Sequence, residues 1–346
     1  MKKLLLTLIL CLTTSIAFGA TDTHYVTEAG AIGRTGVDLA NAFSAADFNN
    51  SAKWDVDVAD DNLIGPGDTV YFSGTFTSEI EPQGSGTAGN YITLDGYETD
   101  DTTYKDLSEA GGRALIDRTA EASGSLYCFD IGWTLGTAIS YLIIQDFEMQ
   151  NFSHGIYAQN NSNNIIIRRN YIHNGGMMGI NLSYTSWITV GGAAGHGNVV
   201  KNTGVGTAGG DIVFGVSNNI IVSYNRCYAT LSTDAITDRG IDGIVASTDS
   251  HTSLIEYNLV HNHNDLYDYD AFPPCGANCS EVGEDGIDLK ERTYDIVIRY
   301  NYVYDNGGLY DNGGTNGASI NISSVNQTYN IYIYGNRLSN SRWGGI

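Results

Sequence analysis

The chain has 346 residues, with 39 acidic side chains against 17 basic ones and a formal charge of −22. That balance argues against a nucleic-acid partner, and against a polyanionic ligand unless cations or a local basic groove offset the field. Forty-two glycines against four prolines, with 23 tyrosines, suit a loop-rich all-β chain better than a helical one.

In chain order, Met1 to Gly19 reads as a secretory signal. Lys2 and Lys3 open it, Leu4 to Leu12 is a short apolar run, and Ala17-Phe18-Gly19 supplies small residues near a cleavage point. The run is too short to span a bilayer, and no later stretch is apolar enough to anchor the chain. The expectation is a secreted protein, extracellular or periplasmic, monomeric, with a single domain over 20–346. Residues 20–135 read as an entry segment that caps the fold. His24-Tyr25-Val26 starts a strand, and Asn41-Ala42-Phe43 with Ala45-Ala46 forms a short helix. Thr69-Val70-Tyr71-Phe72 and Tyr91-Ile92-Thr93-Leu94 follow Gly-rich turns as strands. Of the later cysteines, Cys275 and Cys279 suit a small-loop disulfide in an oxidising compartment. Cys128 and Cys227 sit among apolar residues and read as buried thiols.

From Tyr141 the chain repeats itself. One unit is an alternating apolar strand ending at Asn or Asp, as in Ile165-Ile166-Ile167-Arg168-Arg169-Asn170 and Ile296-Val297-Ile298-Arg299-Tyr300-Asn301. Further copies end at Asp146, Asn225, Asn258 and Asn336, and a second Asn follows several of them: Asn151, Asn174, Asn202, Asn262, Asn306 and Asn340. The other unit is a short Gly-Ile strand: Gly155-Ile156, Gly179-Ile180, Gly243-Ile244, Gly286-Ile287 and Ser319-Ile320. Spacing runs from 24 positions (Asp146 to Asn170) to 43 (Asn258 to Asn301). Fixed rungs with variable loops describe an all-β, right-handed parallel β-helix with an N-terminal cap, its asparagines stacked in ladders at the turns. The chain stops at Trp343-Gly344-Gly345-Ile346 as another Gly-Ile strand begins, so further coils are expected beyond it.

The densest acidic stretch is Gly283-Glu284-Asp285-Gly286-Ile287-Asp288-Leu289-Lys290. As a strand it turns Ile287 and Leu289 inward and Asp288 and Lys290 outward. Stacking the Gly-Ile strands sets Asp242 one rung below Asp285, Asp288 between Val245 and Asn321, and Lys290 between Ser247 and Ser323. Asp242, Glu284, Asp285 and Asp288 thus offer a hard cation several oxygens from two rungs, which suits calcium. Long excursions flank this patch. One carries Asp234, Asp238 and Arg239. The other, about His261 to Val282, carries His261, His263, Tyr267 and Tyr269 as solvated loop residues able to meet a sugar.

Glu284-Asp285-Gly286-Ile287-Asp288 resembles the calcium-binding strand of the β-helical family 9 polysaccharide lyases, and Asp242-Gly243-Ile244 is similar to that family's additional calcium aspartate. The base lysine of that family would fall at Asn321. The Asp285 to Lys290 spacing also resembles the family 6 lyases, whose acidic pair is followed on the same strand by the base lysine. Their catalytic arginine would fall at Ser323. The resemblance implies calcium-dependent β-elimination on an acidic, uronate-containing polysaccharide. Lys290 would be the base, Arg239 and Arg292 further catalytic groups, and Asn321, His261, His263, Tyr267 and Tyr269 substrate contacts.

Three alternatives stay open. Asp285-Gly286-Ile287-Asp288 also resembles the first acidic motif of β-helical polygalacturonases, which implies inverting hydrolysis by paired carboxyls. A C5 epimerase shares the proton-abstraction step. A calcium-stabilised surface protein would bind glycans without cutting them.

Overall fold

Three short strands per turn, each lying on its counterpart one turn earlier, build three parallel sheets of eleven, nine and seven strands. The structure is a computed structural model that describes residues 21–346 except 58–61, 97–111, 120–125, 205–208, 230–240, 264–284, 308–316, 324–326 and 342–343. The first sheet holds the Asn-terminated strands, such as Asn163–Arg168 and Tyr294–Arg299. The second holds the Gly-Ile strands, from Tyr127–Ile131 to Ile320–Ile322. The third holds three-residue strands such as Leu259–His261. Each turn passes from the first sheet to the third, then the second, then back. This is a parallel β-helix, with the right hand that parallel crossovers take.

The two-residue period of the strands explains the coil. Ile165, Ile167, Ile296 and Ile298 are fully buried, while Ile166 and Val297 between them stay half-exposed. Each fully buried aliphatic side chain contributes about 1.5–3 kcal/mol. In the N-terminal half the interior is filled by edge-on aromatics, with Phe147 5.2 Å from Phe72 and 4.9 Å from Phe129 between ring centroids.

The asparagine ladder is present and longer than the repeats suggest. Asn170, Asn198, Asn225, Asn258, Asn301 and Asn336 stack, and from Asn198 onward each side-chain oxygen accepts the backbone N–H and side-chain amide of the Asn one rung below, at 2.9–3.1 Å. Asn198 joins it although its strand, Ser186–Gly191, ends in glycines rather than at an Asn. Five of the six second asparagines do a different job, while Asn306 is buried and accepts the His263 N–H at 3.1 Å. Asn151, Asn174, Asn202, Asn262 and Asn340 have φ between 52° and 60°, the left-handed turn that Asn tolerates best after glycine.

At the N-terminal end the expected helix is shorter and starts later. Ser44 Oγ accepts the Asp47 N–H and Asp47 Oδ2 accepts the Ser44 N–H, both at 3.0 Å. That capping box begins the helix at Ala45 and ends it at Phe48, and leaves Phe43–Ser44 as a strand. Cys128 and Cys227 are buried thiols as expected. The signal segment and the Cys275–Cys279 pair lie outside the described residues. Among those described, no helix is long and apolar enough to cross a membrane.

Candidate functional site

The second sheet presents the acidic strand on its outer face. Ile244 pairs with Ile287, Val245 with Asp288 and Ala246 with Leu289, and Asp288 pairs in turn with Asn321. This is the stacking expected from the repeats. Glycine makes the local shape possible. A Cβ on Gly286 would collide with the interior methyl of Val303, and one on Gly243 would lie 3.0 Å from His263 Cε1. Glycine and the following isoleucine therefore both face inward, and Asp242 and Asp285 before them face out.

Asp242, Asp285 and Asp288 converge there, each offering a carboxylate oxygen within 4.8 Å of the others. All three are nearly inaccessible, at 4%, 1% and 1% exposure. Asp288 points out of the coil as expected yet is covered, because Lys290 and Ser323 close over it. Lys290 Nζ lies 3.1 Å from Asp242 Oδ2 and in direct contact with Asp288 Oδ2. Ser323 Oγ donates to Asp288 Oδ1 at 2.6 Å. Asp285 Oδ1 accepts the backbone N–H groups of Gly317 and Ala318 at 2.8 and 2.7 Å, and its Oδ2 accepts Asn321 Nδ2 at 2.6 Å. The resemblance to the two lyase families sets a lysine at Asn321 and an arginine at Ser323. Here both instead donate hydrogen bonds to the acids.

The electrostatics follow from burial and proximity. Burial pushes the Asp242 carboxyl up to about 6 against the pull of the Lys290 ammonium, and the charges of Asp288 and Asp285 push the same way. Burial raises Asp285 too, helped by Asp288 and opposed by its three donors. At Lys290, burial works against the ammonium, but Asp242 and Asp288 overcome it and hold its pKa above the ordinary lysine value. The cluster retains protons more strongly than isolated groups would. Three carboxylates and no nitrogen or sulfur donor form an oxygen set suited to a hard divalent cation.

The other expected site residues separate. Arg292 is half-exposed and forks onto Asp249 of the preceding rung, at 2.7 and 2.9 Å. His261 and His263 are not solvated loop residues, because the third-sheet strand reaches through His261 and the long excursion starts later. His261 is 5% exposed and stacks between Tyr228 and Tyr304, at 5.0 and 4.8 Å between ring centroids. His263 turns into the coil, where Nε2 meets Asp211 Oδ2 at 2.9 Å and Nδ1 meets Asn306 Oδ1 at 3.2 Å. Arg239, Tyr267, Tyr269 and Glu284 lie outside the described residues.

Sequence reasoning missed Asp211. Register sets it in the column of Gly179 and Gly243, so its carboxylate points inward and needs the partners it has, His263 and Thr203. The signal was available in Gly210-Asp211-Ile212, a Gly-Ile unit with an acid in the glycine place.

No protein family description matches the chain, and no curated protein matches it. Solved structures do. The alginate lyase from Paenibacillus sp. str. FPU-7 is 15% identical with a TM-score of 0.53, over 94% of this chain and 100% of that one. Pectate lyase Pel9A is 13% identical with a TM-score of 0.54, over 94% of this chain and 80% of that one. The shared feature is the fold. At these identities the likeness shows the fold alone.

Proposed function

We infer that the protein is a secreted polysaccharide lyase that cuts a uronate-containing polymer by β-elimination. The observation that carries this reading is the convergence of Asp242, Asp285 and Asp288 on one face, with the Lys290 ammonium against two of them. The two solved structures of similar fold, an alginate lyase and a pectate lyase, favour the same class.

Asp242, Asp285 and Asp288 would hold a calcium ion. When bound, it would offset their charge and polarise the substrate carboxylate, which acidifies the C5 proton. Lys290 is the base. Its Nζ takes the C5 proton, the C4–C5 double bond forms, and the C4–O bond breaks. Lys290 needs a lowered pKa for this, so its clamped state beside two carboxylates is a resting state. Asn321 and Ser323 position Asp285 and Asp288, and Lys290 is the ammonium group set against the acids. Arg239, Tyr267 and Tyr269 are assigned to the uronate carboxylate or to protonating the leaving oxygen, whereas Arg292 stays engaged on Asp249.

The test is ultraviolet absorbance of unsaturated uronate during incubation with alginate, pectate and chondroitin, with calcium or with chelator. A calcium-dependent rise that disappears in folded Lys290→Ala is expected. New reducing ends without that absorbance would replace the lyase with a hydrolase, and binding without cleavage would leave a glycan-binding protein.

A further inference from the structure

The outer face that carries the acids continues along the coil to an aromatic cluster that the proposed chemistry does not use. His154 pairs with Met178, Met178 with Gly210, and Gly210 with Asp242. His154 therefore lies in the same column as Asp242 and Asp285, three rungs from Asp242, or about 14 Å at the usual strand spacing. Around it, Tyr127 and Tyr157 stack at 5.0 Å and 20°, and His154 lies 5.2 Å from Tyr157. Trp133 meets the edge of Tyr157 at 6.0 Å and is 48% exposed.

This cluster is held in place. Asp130 accepts the backbone N–H groups of Trp133 and Thr134, both at 2.9 Å, and fixes the turn that presents the indole. Tyr157 donates its hydroxyl to Gln159 at 2.7 Å. A large indole half in water on a braced turn is a ready surface for the C–H face of a sugar ring. Between the two ends lie Met178 and Gly210 in the His154 column, and Asn181, Val213 and Val245 in the Tyr157 column. In the column that leads to Lys290 the residues are Ser183, Gly215 and Ser247, and a Cβ on Gly215 would make only ordinary contact with Ser247.

We propose that Trp133, Tyr157 and His154 form a distal sugar-binding subsite for the same polymer chain whose uronate is cut at the acidic centre. The chain lies along the coil axis, over the small residues, and spans several sugar rings between the two ends. Glu79, Glu81 and Asp130 gather beside the turn that presents Trp133, so this end of the face is acidic and the contact offered to the sugar is the apolar one of the indole. The subsite rests on the lyase reading for its ligand, yet it is tested by binding alone.

The experiment is calorimetric titration of calcium-loaded Lys290→Ala protein, in which no chain is cut, with disaccharides and octasaccharides of alginate and pectate. The same titrations are repeated with Trp133→Ala and Trp133→Phe added. The ratio of octasaccharide to disaccharide affinity is expected to fall about tenfold with Trp133→Ala, one stacked ring's worth. Trp133→Phe, which keeps a ring, should recover most of it. An unchanged ratio overturns the subsite while leaving the lyase reading intact. A Trp133-dependent ratio in a protein that produces no unsaturated ends overturns the lyase reading and keeps the subsite. No binding of either length overturns both.

Discussion

Asp242 Oδ1 accepts the backbone N–H of Asp285 at 3.0 Å. The acid of one rung thus caps the backbone that carries the acid of the next, and 43 residues of sequence separation become one hydrogen bond. The same carboxylate meets Lys290 through its other oxygen, so one side chain has both a structural and an electrostatic role.

Asp242→Asn separates those roles. The amide oxygen still caps Asp285, while one charge leaves a crowded trio. In chelator the melting temperature should hold or rise. The melting-temperature rise on adding calcium should shrink, with calcium affinity down at least about tenfold, because charge count sets affinity at such sites. Scanning calorimetry with and without calcium checks both.

The asparagine ladder should be expensive to break. Asn225 accepts from Asn198 and donates to the Val190 carbonyl and to Asn258 Oδ1. Asn225→Ala leaves several buried groups without partners, at about 1–3 kcal/mol each. Urea unfolding should show a loss of about 3 kcal/mol or more.

Gly286→Ala should damage both coil and site. The new methyl would meet Val303 and come 2.7 Å from the Ser319 carbonyl and Asn306 Nδ2. A cost of about 1–3 kcal/mol is expected from overpacking, and Asp285 would be displaced from Gly317 and Ala318. Urea unfolding and calcium titration should therefore fail together in this variant, unlike Asp242→Asn.

Acid should weaken the fold before most carboxylates titrate. Burial holds both His154 and His261 down to about 4, against about 6.5 when unfolded. Between those values the unfolded chain binds more protons, so this stability is complete above about pH 6.5 and is lost as pH falls toward 4. Each histidine adds a slope of up to about 1.4 kcal/mol per pH unit. His261→Phe keeps a ring in the Tyr228–Tyr304 stack and should remove one share, read from urea midpoints across that range.

Much of this was legible because a solenoid repeats its physics. Ile165 and Ile296 share a pattern that can only bury one face, and Asn170 and Asn301 end it the same way. Aligning the Gly-Ile units then set Asp288 over Val245 and under Asn321, as the strand register has it. The histidines depart from the loop expectation because the third-sheet strand continues through His261. His261 looks like part of an Asn-His alternation, yet it closes the third-sheet strand and stacks in its aromatic column.

The sequence by itself determined the coil, its inward and outward faces and the column that gathers the acids, since all three follow from a two-residue alternation repeated in register. Only the tertiary structure decided what those residues experience. Asp288 is covered rather than exposed, Lys290 is clamped by two carboxylates, Asn321 and Ser323 donate to the acids, and His263 faces inward to Asp211. Burial, proton affinity and partner choice depend on neighbours one rung away, and the loops between rungs vary too much in length for local sequence to say which side chains will meet.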